Sequence, residues 1–169
     1  MVSNINLNDI YKKIVDQSIK RFFFDKIKLP NNFECKLEII QLNIIIMLWY
    51  CEKNKINKNF SLNLINFFLN DVEVAMRELG ISETSLGKKK RIIAENFYGR
   101  LYSYSDIFEL DDIPKLPLTE KLKINFKSNE INYENLFVYV SKNLKYFKNL
   151  DTKKFKKLEF NFIEKESFN

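Results

Sequence analysis

Residues 61–81 read SLNLINFFLNDVEVAMRELGI. Leu62, Ile65, Leu69, Val72, Met76 and Leu79 follow one another at spacings of three and four residues, which marks a single apolar stripe on a helix. Ser61 stands where an N-cap belongs. Gly80 follows the last stripe residue, where a left-handed C-cap glycine is expected, and Ile81 can pack back beyond it. The stretch predicts a helix that buries one face and needs neighbours to bury it against.

The flanking sequence supplies those neighbours. A helix over roughly Phe33 to Lys53 is apolar almost all round between Ile39 and Cys51, the pattern of a central helix. That run is shorter than the ~18 residues wanted for a membrane span, and Gln41 and Asn43 interrupt it. An earlier helix, about Asn6 to Asp25, directs Ile10, Ile14, Ile19 and Phe22 or Phe23 to a core, before Pro30-Asn31-Asn32 breaks the chain. After the quoted stretch, a helix from about Ser85 to Glu109 turns Ile93, Phe97, Leu101, Tyr104 and Phe108 inward. Pro114 and Pro117 impose a connector, and Leu118 to Phe126 reads as a short helix or irregular chain. Asn132 to Leu150 is helical, with Tyr133, Phe137, Val140, Leu144 and Phe147 as its stripe. No hairpin turn joins two alternating stretches. The expected fold is an all-α, single-domain irregular bundle of about five to seven helices over residues 1–150. Residues 151–169, rich in Lys with interspersed Phe, form either a loose tail or a terminal helix.

Composition narrows the function. The 169 residues are 46% apolar and carry a net charge of +6. They are also crowded with Lys, Asn, Ile and Phe and poor in Gly, Ala and Pro, the signature of an A/T-rich coding sequence. Lysines raised by that bias and lysines serving a polyanion site are both open readings of the charge. There is no histidine, which removes the commonest metal ligand and general base. Cys35 and Cys51 lie in apolar helical sequence without a CxxC partner, so they read as reduced core residues. GxSxG and P-loop motifs are missing, and Glu38, Glu73 and Glu95 read as solvated or ion-paired helix carboxylates. No catalytic group, metal or cofactor is expected, haem included. Met1 to Lys20 reads as neither a secretory signal nor a presequence.

Residues 75–100 stand apart. All three glycines (Gly80, Gly87 and Gly99) and both alanines (Ala75 and Ala94) fall there. Where coding bias disfavours small residues, their persistence points to close helix packing, with Phe97 beside them. Gly99 sits mid-helix, where glycine costs about 1 kcal/mol relative to alanine. The neighbour that offsets this cost is either in the same chain or a partner helix. The window also gathers charge. Glu73, Arg77 and Glu78 end one helix, and Lys88 to Arg91 open the next, against the preference of a helix N-terminus for anions. Their counter-charge comes from Glu73 and Glu78 or from a partner, or the turn is simply solvated.

The same residues carry a resemblance. The run Asp71-Val72-Glu73-Val74-Ala75-Met76-Arg77-Glu78-Leu79-Gly80-Ile81, then Gly87-Lys88, then Ala94-Glu95-Asn96-Phe97-Tyr98-Gly99-Arg100 with Tyr104 resembles the ubiquinol–cytochrome c chaperone family. That family has the pattern D-x-x-L-R-E-x-G-V-G-D, then V-G/P-K, then A-E-A-F-Y-G-R-x-x-x-Y. Phe24, Cys35 to Tyr50 and Lys142-Asn143-Leu144 extend the similarity to about residues 18–148. Glu73 replaces the family's Asp, Gly80-Ile81-Ser82-Glu83 loses one glycine of the turn, and Asn43 takes the place of an early histidine.

The resemblance implies a non-enzymatic assembly chaperone that binds newly made cytochrome b and helps build ubiquinol–cytochrome c reductase, respiratory complex III. It implies as partners apo-cytochrome b or early complex III intermediates, with a small second assembly subunit and the ribosome as further contacts. The expected location is cytoplasmic, peripheral at the inner face of a bacterial plasma membrane, or alternatively the matrix face of the mitochondrial inner membrane. The expected docking face joins Glu73, Arg77, Glu78, Lys88, Arg91 and Arg100, which steer by charge, to the aromatic anchors Tyr98, Tyr102 and Tyr104. Phe97, Gly99 and Tyr104 are equally readable as core. The competing class is a basic RNA- or ribosome-binding module built on Lys88 to Arg91 and the lysines from Lys142 to Lys157; specific nucleic acid is the lesser expectation.

Overall fold

The computed structural model describes residues 5–164, and among them every regular element is a helix. In chain order these are α1 (Leu7–Ser18), α2 (Arg21–Asp25), α3 (Phe33–Lys53), α4 (Lys58–Glu78), α5 (Glu83–Phe108), α6 (Lys115–Phe126), α7 (Tyr133–Lys148) and α8 (Thr152–Lys156). The all-α bundle is therefore as the sequence predicts. No helix among the described residues is long and apolar enough to cross a membrane.

α3 is the axle. Asn32 caps its start by accepting a hydrogen bond from the Cys35 amide at 2.8 Å. Every residue from Leu42 to Cys51 is buried, as a helix apolar on all sides requires. α1, α4, α5, α6 and α7 all pack on it. Its Asn43 is satisfied inside: fully buried, it donates to Ser18 Oγ at 2.9 Å and accepts from the Tyr139 hydroxyl at 2.8 Å. Burial pushes the Cys51 thiol up to about 12, so it is an inert core group.

Several predicted boundaries shift. The first predicted helix is two: Ile19 caps α1 and Lys20 is extended before α2. The break turns Ile19 out to solvent and swings Phe23 in against Tyr139, with ring centroids 5.1 Å apart. α4 starts at Lys58 under an Asn57 cap, so Ser61 lies inside its first turn and is not the cap. Its buried face is Leu64, Ile65, Phe68, Val72 and Met76; Leu62 and Leu79 of the predicted stripe are exposed and Leu69 is only half-buried. The run Phe67-Phe68-Leu69 offers more than one apolar stripe, and the fit of Phe68 against Phe97 (5.5 Å) selects among them. In α7 the buried face is likewise Leu136, Tyr139, Val140, Asn143, Leu144 and Phe147, with Tyr133 and Phe137 at its edge. Pro117 does not interrupt the chain. It sits in the first turn of α6, where a backbone N–H has no helical partner to lose.

Residues 151–164 are neither a loose tail nor one terminal helix; residues 165–169 lie outside the described residues. After the single turn of α8 the chain follows an irregular path, held by Lys13 of α1 on the Phe160 carbonyl and by Asn143 of α7. Asn143 holds it by accepting from the Ile163 amide (2.8 Å) and donating to the Ile163 carbonyl (2.9 Å). Phe155, Phe160 and Phe162 enter the same core as α3 and α7.

Candidate partner-docking face on helix α5

The turn between α4 and α5 is built from backbone geometry. Gly80 has φ +84°. The Ile81 amide donates to the Met76 carbonyl at 3.1 Å and the Gly80 amide to the Arg77 carbonyl at 3.0 Å. This is a Schellman stop, and Ile81 packs back on the core. The predicted cap at Gly80 is therefore present.

Charge then ties the two helices together. Glu73 accepts from Lys90 at 2.7 Å and from Arg77 at 2.8 Å, and Arg77 also donates to Glu83 at 2.8 Å. The Lys90 hydrogen bond, seconded by Arg77, holds the Glu73 carboxyl below the usual glutamate range; the Glu83 hydrogen bond raises Arg77. Glu73 and Arg77 are thus engaged with one another and with α5. Glu78 is exposed beside them. Lys90 finds its counter-charge inside the chain, while Lys88 and Lys89 stand without an ion-pair partner among the described residues.

Two expected docking residues point the wrong way. Arg100 turns inward to Glu38 on α3, with its Nε 2.8 Å from Oε2 and its Nη2 on Oε1. Both side chains are largely shielded from water, at 14% and 10% exposure. Burial raises the Glu38 pKa, and the Arg100 hydrogen bonds and charge pull against that rise. A buried carboxylate has to be paired, which is why Arg100 is an internal tie and not a steering charge. Tyr104 is also buried, stacked on Phe108 at 5.8 Å, and its hydroxyl accepts from Asn125 at 2.8 Å. Phe97 is core, packed on Phe68.

The glycines correct another expectation. A side-chain carbon added at Gly87 or Gly99 would meet nothing within 4 Å. Among the described residues no helix crosses over them, and both lie on the solvent side of α5. Ala75 and Ala94 are half-buried. The contact between α4 and α5 includes Phe68 on Phe97 and Lys90 on Glu73 and does not depend on Gly87 or Gly99.

What remains outside is one face. Lys88, Arg91, Glu95, Tyr98 and Tyr102 succeed each other at spacings of three and four, all exposed, over about 21 Å of helix. Tyr102 is 75% exposed, and Tyr98 and Ile92 are each 42% exposed. Gly99 lies bare between the two tyrosines. Arg91 reaches Glu95 only at 3.9 Å. Ile92 and Glu95 belong to this face although they are absent from the expected set. Ile92 is i+4 from Lys88 and Glu95 is i+4 from Arg91, and that spacing was the available signal. Cations stand at one end of this face, two large amphipathic rings stand at the other, and no side chain fills the gap at Gly99.

A sequence model of the ubiquinol-cytochrome C chaperone family matches residues 25–162. Among solved structures, the chain is similar to one described as the crystal structure of the Cbp3 homolog from Brucella abortus. That match has a TM-score of 0.81 and 18% identity, and covers 96% of this chain and 91% of that one. No curated protein matches the sequence.

Proposed function

The chain belongs to the ubiquinol–cytochrome C chaperone family, and from that membership we propose that it is a non-enzymatic assembly chaperone that binds newly made cytochrome b and promotes assembly of ubiquinol–cytochrome c reductase. The observation that carries the docking reading is the outward face of α5, where Tyr102 and Tyr98 flank Gly99 and Lys88 and Arg91 lie at one end. Exposed tyrosines are costly to leave in water and are the residues that anchor protein interfaces. A bare glycine between them lets a partner helix approach the backbone of α5, which gives the intrinsic cost of Gly99 its compensation. The unpaired lysines raise the encounter rate with acidic loops. This work is peripheral to a membrane, with the cytochrome b segments emerging from it as the contact.

The test is affinity capture with the tagged chain in its native cells, comparing the parent with a Lys88→Glu, Arg91→Glu, Tyr102→Ser variant. All three side chains are exposed, so circular dichroism and thermal unfolding should match the parent. Cytochrome b should come down with the parent and fall at least about ten-fold with the variant, from the loss of one hot-spot ring and two steering charges. Equal recovery by both proteins would remove this face from the reading.

A further inference from the structure

The outward stripe of α5 runs past Tyr102 to its end, and its charge changes sign along the way. Lys88 and Arg91 stand at the N-terminal end. Asp106 and the C-cap Glu109 continue the same spacing of three and four at the other end, and all four are exposed. From Lys88 to Glu109 the stripe is about 32 Å long. Its charges are largely uncommitted. Lys88 and Asp106 have no ion-pair partner among the described residues, and Arg91 reaches Glu95 only at 3.9 Å. Glu109 accepts the Trp49 indole N–H through Oε1, and its Oε2 has no partner among the described residues. The neighbouring acids Glu83 and Asp111 are held by Arg77 and Lys148.

Turned end for end about the peptide between Tyr98 and Gly99, this stripe is its own complement. Lys88 falls opposite Glu109, Arg91 opposite Asp106, Glu95 opposite the Tyr102 hydroxyl, and Tyr98 opposite the bare Gly99. Each match sets base on acid, acceptor on donor, or ring on gap. A parallel pairing would instead set like on like, cation on cation and acid on acid. A two-fold contact needs one surface to serve both partners, and a second copy of α5 carries the reversed order by construction. The strip is about 32 Å by 10 Å, well below the ~800 Å² per partner of a standard interface. Such a contact is weak and exchangeable.

We propose that two copies of the chain pair antiparallel through α5, with the two-fold axis between Tyr98 and Gly99, and that this pairing covers the docking face until a client displaces it. The covering rests on the docking function proposed above; the pairing stands without it.

Two single variants test the pairing. Arg91→Glu sets acid against acid across the axis, and Asp106→Arg sets base against base. In sedimentation velocity over a concentration series, the parent should associate, less so with added salt. Each variant should associate at least about ten-fold more weakly. Mixed together, the two variants should associate again, because both contacts between unlike chains are then acid on base. Both side chains are exposed, so the circular dichroism of each variant should match the parent. A parent that stays monomeric, or a mixture no tighter than either variant alone, overturns the proposal and leaves the docking function standing. The covering is tested with two differently tagged copies in native cells. Capture through one tag should bring down cytochrome b, and successive capture through both tags should yield paired chains without it. Cytochrome b in the two-tag fraction overturns the covering. Cytochrome b missing from the one-tag capture as well is the failure of the docking function, which removes the covering and leaves the pairing.

Discussion

Arg100 and Glu38 show how much one pair of side chains can hide from a sequence. Arg100 sits in the FYGR run that marks the family resemblance, and on a helix its register alone does not say whether a buried carboxylate is in reach. Glu38 is 62 residues away in sequence and reads as a solvated or ion-paired helix acid, with no partner named by its spacing. Folding desolvates it against α5, and Arg100 compensates. Replacing Arg100 by Leu should cost about 3 kcal/mol near neutral pH, because it strands a buried charge. The sign of the pH dependence follows. Burial holds the folded Glu38 above its ordinary pKa, and loss of Arg100 lifts it further. The folded variant then keeps a proton that the unfolded chain gives up, so its stability falls as pH rises from the usual glutamate value through the raised one. Urea unfolding should show a deficit that is large at neutral pH and shrinks on acidification. An equal deficit at both would mean that Glu38 is not the group left exposed to the loss. Because Arg100 supports the fold, its replacement is a poor probe of docking, and Lys88, Arg91 and Tyr102 are the residues to change.

Helix α5 makes the same point one level up. Its existence, its approximate ends and the core place of Phe108 were legible in periodicity, while Phe97 and Tyr104 read equally as core or as interface. The meaning of its small residues was not. Gly80, at the stop before α5, sits at φ +84° and Gly99 in ordinary helix, and a side-chain carbon would meet open space at both. Alanine should therefore act in opposite directions. Gly80→Ala should destabilise by about 1 kcal/mol through left-handed strain alone. Gly99→Ala should stabilise the isolated chain by about 1 kcal/mol by removing glycine's backbone entropy from a helix interior. Thermal unfolding of the two variants decides the matter. A destabilised Gly99→Ala would mean that α5 is crossed closely by another segment of the chain.

Across the whole molecule, the notable departure is the C-terminal segment. Its lysines made residues 151–169 look detachable, while its phenylalanines put Phe155, Phe160 and Phe162 into the core around Phe147. The double change Phe160→Ala, Phe162→Ala should cost more than about 3 kcal/mol, since each large-to-small change empties core volume. Urea unfolding that matched the parent would make the segment the loose tail that its composition suggests. The sequence by itself determined the helical class, the central place of α3, the Gly80 stop and the family pattern, because each is written in local spacing, composition or backbone chirality. Only the tertiary structure decided which stripe of α4 and α7 faces inward, that Arg100 and Tyr104 are internal, that Gly87 and Gly99 are bare, and that the segment after α8 packs its phenylalanines into the bundle. Those outcomes depend on the complementary shape and charge of residues far apart in the chain, and local periodicity carries no information about which distant surface a side chain will meet.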